Sequence, residues 1–83
     1  MKVEFSKSAF RELKKFPKDI QKRVINKIEF YSEQSDPLKL AERMIDVKFG
    51  SYRFRIGDYR VIFDIIKGNI FVLKIGNRKD IYK

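Results

Sequence analysis

Three arginines lie close together in the C-terminal half of the chain, around the dipeptide Gly57-Asp58: Arg53, Arg55 and Arg60. Arginine is suited to binding phosphate because its planar guanidinium donates paired hydrogen bonds and keeps its charge. If the flanking segments pair as strands across a two-residue turn, Arg55 lies directly opposite Arg60. All three side chains then share one side of the sheet, here called the arginine face. Like charges so placed are destabilising, which indicates a ligand with several negative charges.

Cations on one open face would suit the cleavage of RNA by transesterification, in which the 2′-hydroxyl attacks the neighbouring phosphate. Fixed positive charges stabilise the charge that develops on the phosphorane. Proton transfer needs other groups, because the chain has no His. The candidates are Tyr82, a lysine whose pKa is lowered by neighbouring cations, Asp64 and Asp80. The scattered carboxylates have no spacing typical of a metal cluster, so we expect neither a metal nor a cofactor.

The positive charge is concentrated in the same part of the chain as these arginines. The 83 residues carry a net charge of +9, and residues 48–83 hold nine basic and three acidic side chains. Such an excess predicts a surface that binds polyanions. A solvated surface that keeps a small protein soluble would have the same composition, with the arginines extended over an exposed sheet face.

Length and hydropathy limit the kind of protein this is. The length suits a single domain spanning residues 1–83, and the absence of Cys excludes disulfides and thiol chemistry. No apolar run approaches the roughly 20 residues of a membrane span, and the N-terminus lacks the apolar core of a signal peptide. We therefore expect a cytoplasmic protein without membrane contact.

The N-terminal half predicts a strand and two helices. Residues 2–5 alternate between polar and apolar, as in a short strand. Ser6 is a good N-cap for a helix over about 7–15, which should end before Pro17. Pro17 would then begin a second helix that runs to about residue 34. One apolar stripe follows that helix at spacings of four, four and three: Ile20, Val24, Ile28 and Tyr31.

From residue 52 the apolar period changes to two, which predicts strands. Residues 52–56 and 59–66 should form a hairpin in which Gly57 is the first central residue of a type II′ turn. A three-residue turn at 67–69 would lead into a last strand at 70–75 and would place Lys74 on the arginine face. It would pair Phe63 with Leu73.

Residues 38–49 show no readable period, so no element is predicted there. The predicted order of elements is therefore β-α-α-β-β-β. This is an α+β fold in which the N-terminal strand and helical hairpin pack on a mostly antiparallel, four-stranded sheet.

Two segments, YRFRIGDYRVIFDI and VLKIGNRKDIYK, make the chain resemble the RelE/ParE superfamily of type II toxin–antitoxin toxins, on its RelE side. The resemblance implies an mRNA interferase that binds in the ribosomal A site and cuts mRNA through the 2′-hydroxyl without a metal. It implies an antitoxin as partner, together with the ribosome and mRNA, and oligomers formed only through that antitoxin.

The same resemblance assigns roles to five residues. Arg53 and Arg55 match basic positions that bind phosphate and assist proton transfer, and Arg60 matches the arginine that stabilises the transition state. Arg78 matches the arginine after the last strand, and Tyr82 the C-terminal tyrosine that stacks on or orients a base.

Other basic residues of the same half should add contacts to RNA: Lys48, Lys74 and Lys79. Asn77 stands where several relatives have a histidine, so acid–base catalysis by histidine is excluded. Two alternatives stay open: a ParE-like toxin that inhibits gyrase, and an inactive module that binds RNA or an antitoxin.

Overall fold

The computed structural model describes residues 1–45 and 49–81. Its regular elements, in chain order, are the strand β1 (Val3–Phe5), the helices α1 (Lys7–Lys14) and α2 (Lys18–Ser32), a 3-10 turn (Pro37–Leu40), and the strands β2 (Glu42–Arg43), β3 (Tyr52–Ile56), β4 (Tyr59–Ile66) and β5 (Asn69–Asn77). In the described ranges no helix is long and apolar enough to cross a membrane.

The strands form one sheet in the order β1-β5-β4-β3-β2, in which β1 runs parallel to β5 and the other pairs are antiparallel. The predicted α+β arrangement is confirmed, but the sheet has five strands and not four. The added strand, β2, lies in the stretch without a readable period. Two residues are too few to show an alternation, so only the pairing of β2 with β3 reveals it.

The helix signals of the sequence act largely as expected. The hydroxyl of Ser6 caps α1 by accepting a hydrogen bond from the Ala9 N–H at 3.0 Å. Pro17 is the N-cap of α2, with an extended ψ of 150°, and not its first helical residue. Its ring lacks an N–H, and the helix after it needs no such donor at that position.

The core lies between the helices and one face of the sheet. From the helices it takes Ala9 and Leu13 of α1 and Val24 and Ile28 of α2. The sheet supplies residues that alternate along each strand, except where the β4–β5 register shift separates Val72 from Ile75 by three positions. These residues are Phe54, Ile56, Val61, Phe63, Ile70, Val72 and Ile75. The arginine face is therefore turned away from the helices.

The last hairpin differs from its prediction at the tip. Lys67 and Gly68 form a two-residue turn, both with positive φ (52° and 77°), and Ile66 pairs with Asn69. The predicted pairing of Phe63 with Leu73 is wrong, because Phe63 pairs with Val72. The register shifts between Phe63 and Ile62. This bulge restores the predicted pairing of Ile62 with Lys74, so Lys74 does reach the arginine face.

Candidate functional site

The β3–β4 hairpin has the register that its sequence predicts. Arg55 pairs with Arg60 and Arg53 with Ile62. Gly57 has a φ of 60°, as the first central position of a type II′ turn requires. Cross-strand partners share a side of the sheet, so the arginine face exists as predicted.

A carboxylate from β2 lies between the two arginines of β3. Oε2 of Glu42 accepts hydrogen bonds from Nε and Nη2 of Arg53 at 3.1 and 2.7 Å. Oε1 of the same side chain lies 3.3 Å from Nη1 of Arg55. Glu42 is therefore an acidic group of this face that the sequence did not predict. Both guanidiniums of β3 thus lie against one carboxylate.

The two arginines change the titration of this carboxyl. The hydrogen bonds from Arg53 are the largest influence, and the positive charges of Arg53 and Arg55 add to them. Together they hold the pKa of Glu42 below its ordinary value, although desolvation acts in the opposite direction. Glu42 is therefore ionised throughout the neutral range.

Arg60 is held close to the hairpin turn. The residue is 7% exposed, and its Nη1 donates to the carbonyl oxygens of Gly57 and Tyr59, both at 2.9 Å. Two hydrogen bonds on one nitrogen fix the direction of the guanidinium. In the described part of the chain, no buried side-chain nitrogen or oxygen lacks a hydrogen bond. The other two guanidinium nitrogens of Arg60 therefore reach the surface.

Arg78 follows β5 and contacts the same turn from that side of β4, whereas β3 lies on the other side. Its backbone N–H donates to the carbonyl of Asp58 at 2.8 Å, which ties the segment after β5 to the β3–β4 turn. Its exposed Nε lies 3.8 Å from Oδ1 of Asp58, a long and solvated contact. Arg60 and Arg78 thus lie at one end of the arginine face, and Arg53 with Arg55 and Glu42 lies along β3.

Two of the predicted RNA-binding lysines, Lys74 and Lys79, lie in the described residues. Lys74 lies on β5 with its ammonium 4.2 Å from the ring centre of Phe49, a distance at which a cation–π interaction forms. Lys79 is exposed in the turn after β5, where its N–H donates to Oδ1 of Asn77 at 3.0 Å. Lys48 and Tyr82 lie outside the described residues.

Asp64, a candidate for proton transfer, and Asn77, which stands where several relatives have a histidine, have structural partners. Oδ1 of Asp64 accepts the Ser51 N–H at 2.6 Å and so holds the segment that enters β3. Asn77 accepts the Lys79 N–H with its side chain and the Ile81 N–H with its carbonyl. Both residues therefore shape the loops that border the arginine face.

Part of the arginine face is covered. Ile62 lies on this side and is fully buried, and a Cβ added to Gly50 would lie 2.6 Å from its Cγ2. Ile81 is also buried and lies against Gly76, the partner of Arg60 on β5. The face is therefore not open along its whole length.

Two residues next to this site were missed by sequence reasoning. Glu42 had no assigned partner, since nothing in its local pattern predicts a strand of two residues. Arg23 lies on the exposed side of α2, where a basic residue is ordinary. Only the distance of 2.9 Å between its Nη2 and a Cβ placed on Gly57 associates it with the hairpin turn.

The family model described as the ParE toxin of the type II toxin–antitoxin system parDE matches residues 3–82. The chain belongs to the ParE toxin family. The RelE/ParE superfamily predicted from the two C-terminal segments is thereby confirmed. This toxin is also 34% identical over 84 residues to Toxin RelE3 of Methanocaldococcus jannaschii, a match that covers 99% of the chain and 96% of that protein.

Two solved complexes contain chains with the same fold. The RelB–RelE antitoxin–toxin complex of Methanococcus jannaschii matches with a TM-score of 0.71 and 27% identity, over 98% of this chain and 96% of that one. The toxin–antitoxin complex RelBE2 of Mycobacterium tuberculosis matches with a TM-score of 0.75 over 93% of this chain and 96% of that one. At 24% identity, the second match concerns the fold alone.

Proposed function

We propose that this toxin is an endoribonuclease that cuts ribosome-bound mRNA without a metal and so inhibits translation in the cytoplasm. The observation that carries the proposal is that three arginines share one side of the sheet, with Arg78 beside the turn at its end. Arg55 faces Arg60 across the strands, and Arg60 and Arg78 meet at the Gly57-Asp58 turn. The likeness to Toxin RelE3 over nearly the whole of both chains supports the same branch of the superfamily.

In the proposed reaction, the 2′-oxygen of one nucleotide bonds to the adjacent phosphorus and the bond to the 5′-oxygen breaks. The leaving 5′-oxygen takes a proton from water, and a cyclic phosphate and a 5′-hydroxyl result. Arg53 and Arg55, which both pair with Glu42, bind the phosphate. Arg60 and Arg78 stabilise the additional negative charge of the phosphorane, because fixed donors act most strongly where charge develops.

The 2′-hydroxyl proton needs an acceptor, and we assign Glu42 to this role. Its oxygens lie within hydrogen-bond reach of both phosphate-binding arginines, and its lowered pKa keeps it ionised. A carboxylate with a lowered pKa is a weak base, which is consistent with slow chemistry on free RNA. The ribosome would then contribute by holding the mRNA in line for attack.

The experiment that tests the proposal maps mRNA 5′ ends on ribosomes after induction of the wild-type toxin and of Arg78→Gln. Arg78 is exposed, so this variant should stay folded. We expect new 5′ ends within codons for the wild type and at least a tenfold loss for the variant, a loss of about 1.4 kcal/mol of transition-state stabilisation. Arg11→Gln, which removes an exposed arginine of α1, is the matched control and should cut normally.

Glu42→Gln separates binding from chemistry. Removing one negative charge beside Arg53 and Arg55 should strengthen the binding of an uncleavable 2′-O-methyl RNA. Loss of the proton acceptor should reduce the cutting of ribosome-bound mRNA by about 10²-fold or more. Cutting at the wild-type rate would remove Glu42 from the reaction.

Inhibition of gyrase is the second candidate function, favoured by the ParE description of the matching family. DNA breaks with intact mRNA after induction would establish it and would overturn the nuclease proposal. RNA binding without cut ends would instead indicate an inactive binding module.

We also propose an antitoxin as the partner, since the similar chains occur in toxin–antitoxin complexes. A basic surface attracts acidic segments as well as RNA. The free chain is then expected to be monomeric and to form oligomers through its antitoxin.

A further inference from the structure

Arg23 extends the positive charge of the site from the sheet to α2. A Cβ placed on Gly57 would lie 2.9 Å from Nη2 of Arg23 and 3.4 Å from its Cζ, so the guanidinium rests against the hairpin turn. A side chain at position 57 would displace the Arg23 guanidinium from this place. In the described ranges Arg23 makes no ion pair, unlike Arg53 and Arg55.

Three arginines from three separate elements therefore surround one turn, and they are here called the turn cluster: Arg23 of α2, Arg60 of β4 and Arg78 after β5. Nη1 of Arg60 donates to the Gly57 carbonyl at 2.9 Å, and the Arg78 N–H donates to the Asp58 carbonyl at 2.8 Å. In the described part of the protein, the carboxylate of Asp58 forms an ion pair only with Arg78, at 3.8 Å. The three arginines of the turn cluster and Asp58 thus sum to two net positive charges.

From Arg23 the basic surface continues along one side of α2. Arg23, Asn26, Lys27 and Phe30 line an open groove of about 340 Å³. Their spacing of three, four and seven residues places them on one helical face. Phe30 is 55% exposed, and the ammonium of Lys27 lies 5.8 Å from its ring centre. Cations beside an exposed aromatic ring are the features that bind single-stranded RNA, through phosphates and a stacked base.

We propose that Arg23 binds a phosphate of the RNA next to the one that is cut, and that Lys27 and Phe30 hold the following nucleotide. The RNA then passes from the arginine face over the Gly57-Asp58 turn onto α2. RNA is favoured over an acidic protein segment because Arg23 contacts the same turn as Arg60, and Arg60 is proposed to act on the RNA phosphate that is cut. This inference rests on the proposed function for the RNA that it names, but it concerns binding and not cleavage.

The test measures the binding of a fluorescein-labelled, 2′-O-methyl RNA of twelve nucleotides by fluorescence anisotropy at several salt concentrations. We expect Arg23→Gln to lower the affinity about fivefold at about 0.1 M salt. It should also reduce the slope of log affinity against log salt by about 0.7, the contribution of one phosphate contact on a single strand. Arg11→Gln removes the same charge from α1 and should change neither quantity.

Equal effects of Arg23→Gln and Arg11→Gln would overturn the proposal, because the loss would then reflect net charge alone. No effect of Arg23→Gln, or no binding by the wild type, would overturn it as well. A twelve-residue poly-L-glutamate serves as a second probe. If it depends on Arg23 and the RNA does not, the groove belongs to an acidic protein segment and the proposal is wrong.

The outcome is independent of the nuclease test. The RNA probe cannot be cut, so a loss of affinity in Arg23→Gln supports the binding site even if no mRNA is cleaved. The converse result is that Arg23→Gln leaves both the cutting of ribosome-bound mRNA and the RNA affinity unchanged. That result would agree with the proposed function and would contradict the binding site on α2.

Discussion

At the level of single residues, Glu42 controls how the arginines of β3 are presented. Hydrogen bonds from Arg53, and then the charges of Arg53 and Arg55, lower its pKa in the folded protein. A carboxyl with a lowered folded pKa stabilises the fold above its unfolded pKa, and this contribution is lost as the pH falls through the folded pKa. The ion pairs of Glu42 should therefore matter at neutral pH and disappear in acid.

We predict that Glu42→Gln destabilises the fold at pH 7 by no more than about 1 kcal/mol, because the side chains involved are partly exposed and solvent screens them. The difference from the wild type should shrink as the pH is lowered from 4.5, the ordinary value for this carboxyl. Urea unfolding at stepwise lower pH measures this. Glu29→Gln, an exposed helical position, is the control. A difference that is the same at every pH would contradict the prediction.

At the level of elements, the two hairpins use turns with different demands. Gly57 supplies the single positive φ of the β3–β4 turn, whereas the β4–β5 turn needs two, and one of them falls on Lys67 at 52°. A left-handed conformation costs a side chain such as lysine roughly 1 kcal/mol, while asparagine adopts it more readily. The β4–β5 turn is therefore a place where the sequence is not optimal for its backbone.

Lys67→Asn should accordingly stabilise the protein by about 0.5 kcal/mol, with the sheet register unchanged. The midpoint of urea unfolding measures the gain. Lys67→Ala removes the same charge without the preference for positive φ and should give no stabilisation. Equal midpoints for the two variants would show that charge, and not backbone strain, accounts for any gain.

The first helix and its cap complete the hydrogen bonding of one edge of the sheet. Beyond the end of β1, groups from the first helix and its cap satisfy the edge of β5. The Ile75 N–H donates to Oε1 of Glu12 at 3.1 Å, and the Ser6 hydroxyl donates to the Leu73 carbonyl at 3.2 Å. Backbone groups at a sheet edge need such partners, and α1 supplies them here.

At the level of the whole molecule, the sheet separates two functions. Its helix-covered face holds the core, and its other face holds the arginines around Ile62 and Ile81. A net charge of +9 on 83 residues must be tolerated by this small core. Repulsion among like charges destabilises the compact state, and dissolved salt screens it.

We therefore predict that the midpoint of thermal unfolding rises by about 2–5 °C between roughly 20 and 200 mM NaCl. The double variant Lys18→Glu, Lys22→Glu lowers the net charge from +9 to +5 at two exposed positions of α2. Its midpoint should respond less to salt, as calorimetry can show. A midpoint that falls with salt in the wild type would mean that ion pairs outweigh the repulsion.

Much of the fold and part of the site follow from local sequence. The cap at Ser6, the apolar stripe of α2 and the Gly57 turn are each set by residues a few positions apart. The β3–β4 register follows from its two-residue turn, so the pairing of Arg55 with Arg60 could be predicted. The two C-terminal segments were enough to identify the superfamily.

Only the tertiary structure decided which charges meet. Glu42 reaches Arg53 and Arg55 because β2 pairs along the outer edge of β3, and Arg23 reaches Gly57 because α2 packs across the sheet. Neither contact has a local signal, since each joins residues more than ten positions apart. Packing of the shared core sets those distances, and a charged side chain on a solvated surface leaves no periodic pattern that reveals its partner.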